Sequence, residues 1–203
     1  MLSGAGSRWI GRGFKKARSL NAHLVFIDES GLMMAPLVRR TWAPRGQTPV
    51  LYQKTRSHKK VSVIAALTVP PQYIRVGHHF SPYSNANVTS DRVVRFLRHL
   101  CRRIQRPILV IWDRLVTHRS RAVNRLLQRR KNLHCEFLPP YAPELNPVEH
   151  LRGHLKTNPL ANWAPRDLES LAYAARYQTG RLRKRKSLLR SFLYATPLFS
   201  CPK

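Results

Sequence analysis

Acidic side chains are scarce in this chain of 203 residues: nine Asp and Glu stand against 37 Lys and Arg, a formal charge of +28. A surplus of that size excludes an ordinary enzyme of small anions, which needs a positive site and not a positive whole. It calls for a polyanion, of which nucleic acid is the common one and an anionic membrane surface the weaker alternative. Long apolar runs are missing too. None approaches 18 residues, so no bilayer span is expected. The N-terminal stretch has no apolar core of the kind a signal peptide needs. Only three cysteines occur, Cys101, Cys135 and Cys201, isolated and odd in number. They exclude a zinc ribbon or a disulfide framework and point to a reducing compartment. A glycine-rich phosphate loop and a nucleophile elbow are absent. His150 and His154 have helical spacing, but Leu151 follows His150, so the zinc pattern His-Glu-x-x-His is not there.

What is present is uneven. Residues 1–20 hold five basic side chains and no acid, and no acidic residue follows Glu169. The expected organisation is a basic arm over residues 1–21, a body over 22–160, and a helical, basic extension over 161–203. Each arm taken alone reads equally well as a solvated tail; two arms of one sign favour nucleic-acid contact.

Within the body, Leu24-Val25-Phe26-Ile27 is an apolar run ending at Asp28, which predicts a buried strand broken by Gly31. Arg39 to Trp42 is a candidate second strand before a turn at Pro44 and Gly46. Val61 to Val69 predicts a third, stopped by Pro70 and Pro71. Three strands with short links predict an antiparallel meander. A helix capped by Thr89 or Ser90 follows, with Val93, Val94, Leu97, Leu100, Cys101 and Ile104 on one face. Ile108 to Trp112 is unbroken and apolar, as suits a central strand covered on both sides. A helix over Ser120 to Arg130 carries Arg121, Arg125 and Arg129 as a stripe. A short strand at Glu136–Leu138 leads into a stiff Pro139–Pro143 connector, and Asn146-Pro147 opens another helix as N-cap and N1. The order predicts an α/β fold: a mixed sheet of three early antiparallel strands, then alternating helices and strands.

With so few acids, the place of each one is informative. Asp28 and Asp113 both end buried apolar runs, which predicts two carboxylates at strand ends, where rigid backbone fixes ligands. Close together they would repel and raise each other's pKa, a penalty that a hard divalent cation such as Mg²⁺ or Mn²⁺ removes. An Asp after a strand also commonly starts a turn or caps a helix, and Glu29 is an alternative to Asp28. Glu149 stands at N3 of the helix capped by Asn146, so it is either a reciprocal cap or a third, well-fixed ligand. His118 reads as a phosphate contact or cap rather than a base.

Four ordered segments resemble a known family. Phe26 to Gly31 followed by Arg40-Thr41-Trp42-Ala43-Pro44-Arg45-Gly46-Gln47-Thr48-Pro49 looks like the opening of the catalytic domain of bacterial insertion-sequence transposases. These belong to the mariner-like branch of the DDE superfamily. Trp112-Asp113-Arg114 with His118-Arg119-Ser120 resembles its second acidic motif, and Leu138 to Glu149 resembles the third; 35 residues separate Asp113 from Glu149. The resemblance implies an RNase H-like fold in which Asp28, Asp113 and Glu149 hold two Mg²⁺ ions, with Mn²⁺ able to substitute. It implies hydrolysis at element ends and strand transfer into a target. The implied partner is double-stranded DNA, bound by a homodimer in the bacterial cytoplasm, with no membrane. Candidate DNA contacts are Arg114, His118, Arg119, Arg121, Arg125, Arg129 and Lys156. Two departures stand out. Arg152 occupies the position, three after Glu149, where the family commonly has Trp. About 20 residues precede the first strand, too few for a helix-turn-helix module. The expectation is therefore a separate recognition subunit or a truncated copy; the alternative function is an inactive, DNA-binding remnant.

Overall fold

The structure, a computed structural model, describes residues 13–35, 37–52, 59–72 and 75–200. Its centre is a five-stranded mixed sheet in the order β3-β2-β1-β4-β5. The strands are β1 (His23–Met33), β2 (Lys60–Val69), β3 (Gly77–Ser84), β4 (Ile108–Trp112) and β5 (Leu133–Phe137). The first three pair antiparallel and β4 and β5 pair parallel, as in the expected mixed sheet. Helices, in chain order, are α1 (residues 13–19), α2 (Ser90–Arg103), α3 (Arg121–Arg129), α4 (Pro147–Thr157), α5 (Leu168–Leu182), α6 (Lys186–Tyr194) and α7 (Pro197–Ser200).

Alternation along the strands sorts the core into layers. Leu24 and Phe26 of β1 pack with Leu109 and Ile111 of β4 against Val148, Leu151 and Leu155 of α4, joined by Ala17 of α1 and by Leu189, Phe192 and Leu198. Val25 and Ile27, with Val110 and Trp112, face Val93, Phe96, Leu97 and Leu100 of α2 and Val123 and Leu126 of α3. Over the far end of β1 and β2, Leu171, Ala172 and Ala175 of α5 cover Leu32, Val61 and Val63. Burying these apolar surfaces on both sides of β4 supplies the main driving force for the fold.

Two local expectations are corrected. Gly31 does not break β1: it pairs with Ser62, and the ladder runs on to Met33↔Lys60. Arg39 to Trp42 forms no strand and lies exposed. Its start is tied down instead by Asn162, whose side chain accepts from the Arg39 N–H (2.7 Å) and donates to the Arg39 carbonyl (2.9 Å). The remaining antiparallel strand is β3, whose polar, Pro-containing sequence suits a sheet edge and carries no clear apolar alternation. Residues 1–12 of the basic N-terminal arm and Cys201 lie outside the described residues. Phe14, further along that arm, meets the Phe199 ring edge-on at 5.3 Å.

Candidate active site

The β1–β4 ladder ends at Phe26↔Ile111. Two residues further on in each strand come Asp28 and Asp113, so the parallel register brings two carboxylates to the same level although 85 positions separate them in the chain. Asp113 leaves the end of β4 as expected. Asp28, expected at a strand end, sits inside β1 opposite Ala65 of β2, because β2 carries the pairing on after β4 stops. The alternation of β1 also separates Asp28 from Glu29. Asp28 shares a cleft with Glu149, whereas Glu29 bonds His118 on the other side.

Asn146 positions the third carboxylate. It is buried, its side-chain oxygen accepts from the Val148 N–H (3.2 Å), and its amide donates to the Ile27 carbonyl (3.0 Å). One side chain thus caps α4 and moors it to β1 next to Asp28. The alternative of a reciprocal cap by Glu149 is not realised. The Asn146 N–H donates to Pro143 instead (2.9 Å), and the Glu149 carboxylate turns to the Arg152 guanidinium.

Asp28, Asp113 and Glu149 line one cleft of about 350 Å³ together with Arg114 and the Pro139–Pro143 connector. Tyr141, at its rim, is fully exposed and held at φ 56°, a conformation uncommon outside Gly and Asn. Burial, then the Glu149 carboxylate, push Asp28 up to about 7, with Arg152 pulling the other way. The buried Oδ2 of Asp28 has no hydrogen-bond partner; its nearest cation is Arg152, 3.8 Å away. Burial also opposes ionisation of Asp113, but hydrogen bonds from His118 and from the Leu115 N–H outweigh it and hold Asp113 below the usual carboxylate range.

The expectation that His118 meets phosphate is corrected. It is 1% exposed, with Nδ1 2.8 Å from Asp113 and Nε2 2.9 Å from Glu29. Its ring lies flat on Trp112, centroids 4.2 Å apart. Burial alone would favour neutral imidazole; the two carboxylates overcome it and raise His118 to about 9. The result is a buried imidazolium that fixes Asp113 in direction and charge.

The other candidate DNA contacts divide. Arg114 is exposed on the cleft itself. Arg119 and Arg121 are exposed at the start of α3. Arg125 and Arg129 line a separate groove, of about 330 Å³, with Arg95 and Arg98 of α2. That groove lies over the α2–α3 face of the sheet, away from Glu149. Arg95 and Arg98 escape sequence reasoning, although their spacing on the polar face of a predicted helix is the signal that finds them. Lys156 is half-buried one turn beyond Arg152, its ammonium pKa lowered by burial and Arg152 against the opposing pull of Glu149 and Asp28.

The profile of a family described as DDE superfamily endonuclease matches residues 23–172, three quarters of the chain. The chain belongs to the DDE superfamily of endonucleases. Among solved structures, this DDE endonuclease is similar to a pre-cleavage Mos1 transpososome (TM-score 0.62, 18% identity), covering 98% of the present chain and 62% of that one. It is similar to the mariner Mos1 paired-end complex with Mg (TM-score 0.59, 17% identity), covering 98% and 61%. With the catalytic domain of Mos1 mariner transposase alone the TM-score is 0.55 at 14% identity, covering 98% and 93%. The chain therefore spans about three fifths of the length of the full transposases it matches and nearly all of the catalytic domain, and shares its RNase H-like fold. A comparison with curated protein sequences finds no match. No helix among the described residues is long and apolar enough to cross a membrane.

Proposed function

We propose that this DDE endonuclease is the catalytic portion of a transposase, which cleaves DNA at the ends of a mobile element and joins them to a target. The observation that carries this reading is the convergence of Asp28, Asp113 and Glu149, from three separate elements, on one cleft of a chain with charge +28. In such a chain isolated acids on DNA-facing surface oppose binding, so three together need another purpose.

The donor set fits hard divalent cations. All three groups are carboxylates, and Asp28 presents a buried oxygen with no hydrogen-bond partner. Asp28, Asp113 and Glu149 would be the residues that hold Mg²⁺, or Mn²⁺ in its place. The chemistry such ions supply is activation of an attacking water or 3′-hydroxyl and stabilisation of the departing oxygen. The protein's own part is orientation. His118 keeps Asp113 ionised and aimed, Asn146 keeps Glu149 beside Asp28, and Arg114 on the rim offers a charged contact to a DNA phosphate. Exposed Arg119, Arg121, Arg125 and Arg129 extend the phosphate-binding surface onto the α2–α3 face, and Lys156 adds positive charge near the cleft. The protein works as a homodimer on DNA in the bacterial cytoplasm.

The second reading, an inactive DNA-binding remnant, is favoured by one observation, the ion pair that Arg152 makes with Glu149, one of the cleft's carboxylates. Divalent-dependent nicking of DNA separates the two. On the catalytic reading the chain nicks DNA and Asp113→Asn does not, while fold and DNA binding persist. Equal cleavage by both proteins would refute the site, and no cleavage by the folded, DNA-bound chain would establish the remnant.

A further inference from the structure

Two of the three carboxylates already have a cation beside them. Arg152 stands three residues after Glu149 on α4, so the helix itself brings their side chains together. One terminal nitrogen of the guanidinium binds Glu149 and the other faces Asp28 Oδ2 at 3.8 Å. The bridge is not a loose surface pair. The side chains of Asp28, Glu149 and Arg152 are 13%, 29% and 34% exposed, so screening is reduced and the pair holds more firmly than an open one. Asp113 is outside this bridge. One of its oxygens is engaged by His118 and the Leu115 N–H, and its side chain is half-exposed toward the cleft. Among the described residues no three acidic, His or Cys side chains stand close enough, as they are, to hold an ion. The guanidinium gives a physical reason: it engages one oxygen of Glu149 and faces one of Asp28, oxygens that would otherwise be free to converge on an ion. Lys156, one turn further along α4, adds a second positive charge behind it.

We infer that Arg152 takes the place of one of the two divalent cations: the chain binds a single ion, on the Asp28–Asp113 side, while the guanidinium neutralises Asp28 and Glu149. The inference rests on the metal-dependent reading of the same three carboxylates. Its chemistry is that of charge and space. Arg152 is always charged, is tethered within contact of both oxygens, and needs no dehydration beyond what the fold has already imposed. A second hydrated divalent ion must displace it. In the reaction, the same guanidinium offers planar donors to a phosphate oxygen once DNA fills the cleft, an interaction that a Trp at this position could not make.

The test is the number of Mn²⁺ ions bound per chain, counted from free Mn²⁺ by electron paramagnetic resonance without DNA. The unmodified chain should bind one ion with appreciable affinity, and Arg152→Gln should bind two. Arg152→Lys, which restores a positive charge, should return the count toward one. Arg152→Leu serves as the second neutral variant if the Gln protein does not fold, with circular dichroism checking both. Two ions of equal affinity in the unmodified and neutral variants would overturn the role of Arg152 while leaving the three-carboxylate site intact. No bound Mn²⁺ in any folded variant would overturn the metal-dependent reading, and this inference with it. A single ion that survives Asp113→Asn unchanged would overturn the assigned side.

Discussion

The side-chain amide of Asn146 reaches the Ile27 carbonyl at 3.0 Å, at the level where β4 has stopped pairing with β1. A helix cap is here also a tertiary clamp, and it holds the first turn of α4 against the strand that carries Asp28. Asn146→Ala removes the cap and leaves the Ile27 carbonyl without its buried donor. Together these two effects should cost about 2–3 kcal/mol in chemical denaturation. Asn146→Asp keeps the cap acceptor but removes the donor and adds a charge beside two carboxylates. It should be at least as destabilising at neutral pH and recover toward acid pH. A neutral effect of either change would mean that the clamp does not position α4.

Stability should fall with rising pH across an unusually wide window. Asp28 is raised from 3.8 to about 7, so its protonated form favours the fold. That contribution is complete below about pH 4 and is lost as pH rises through 7. His118 is raised from 6.5 to about 9, so its contribution is complete below 6.5 and lost as pH rises through 9. The shifts correspond to on the order of 4 kcal/mol for Asp28 and on the order of 3 kcal/mol for His118. Urea unfolding at about pH 4.5, 7 and 9.5, without divalent cation, should show two successive drops in stability. Saturating Mg²⁺ should flatten the lower limb, and His118→Gln the upper one. Stability that rises between pH 5 and 9 would contradict both assignments.

Much of this architecture is legible from residue patterns because those patterns are local. The apolar face of α2, the unbroken run of β4 and the Asn-Pro start of α4 each follow from period or capping chemistry. What escapes is decided by neighbours distant in sequence. β3 is an edge strand with His78, His79 and Pro82, and only its pairing with β2 makes it a strand. β1 outlasts Gly31 because β2 continues to pair with it. Asp28, Asp113 and Glu149 are visible as rare acids in a basic chain, yet their register depends on the parallel ladder. Trp112 and His118 belong to a recognisable motif and helical spacing pairs Glu149 with Arg152, but the burial of His118 against Glu29 and the reach of Arg152 to Asp28 arise only where strand and helix meet.

The groove formed by Arg95, Arg98, Arg125 and Arg129 should bind DNA without reading its sequence. Replacing Arg95 and Arg125 by Gln should weaken binding equally for unrelated duplexes. It should also lower the slope of log affinity against log salt by roughly 0.9 for each phosphate no longer neutralised. Arg114→Gln should lower cleavage more than binding, because Arg114 is on the cleft. An unchanged salt slope in the double variant would remove the α2–α3 face from the DNA surface.

The central claim is that Asp28, Asp113 and Glu149 act as one unit. It is tested by the rate of divalent-dependent cleavage of end-bearing DNA for Asp28→Asn, Glu149→Gln and the two together, with DNA binding verified for each. Residues of one reacting unit are strongly non-additive. Each single change should lower the rate by roughly 100-fold or more, since each removes a carboxylate of the one charged unit in the cleft, and the double variant should be no slower than the worse single. Full activity in either single variant, or a double variant slowed by the product of the two separate effects, would contradict it.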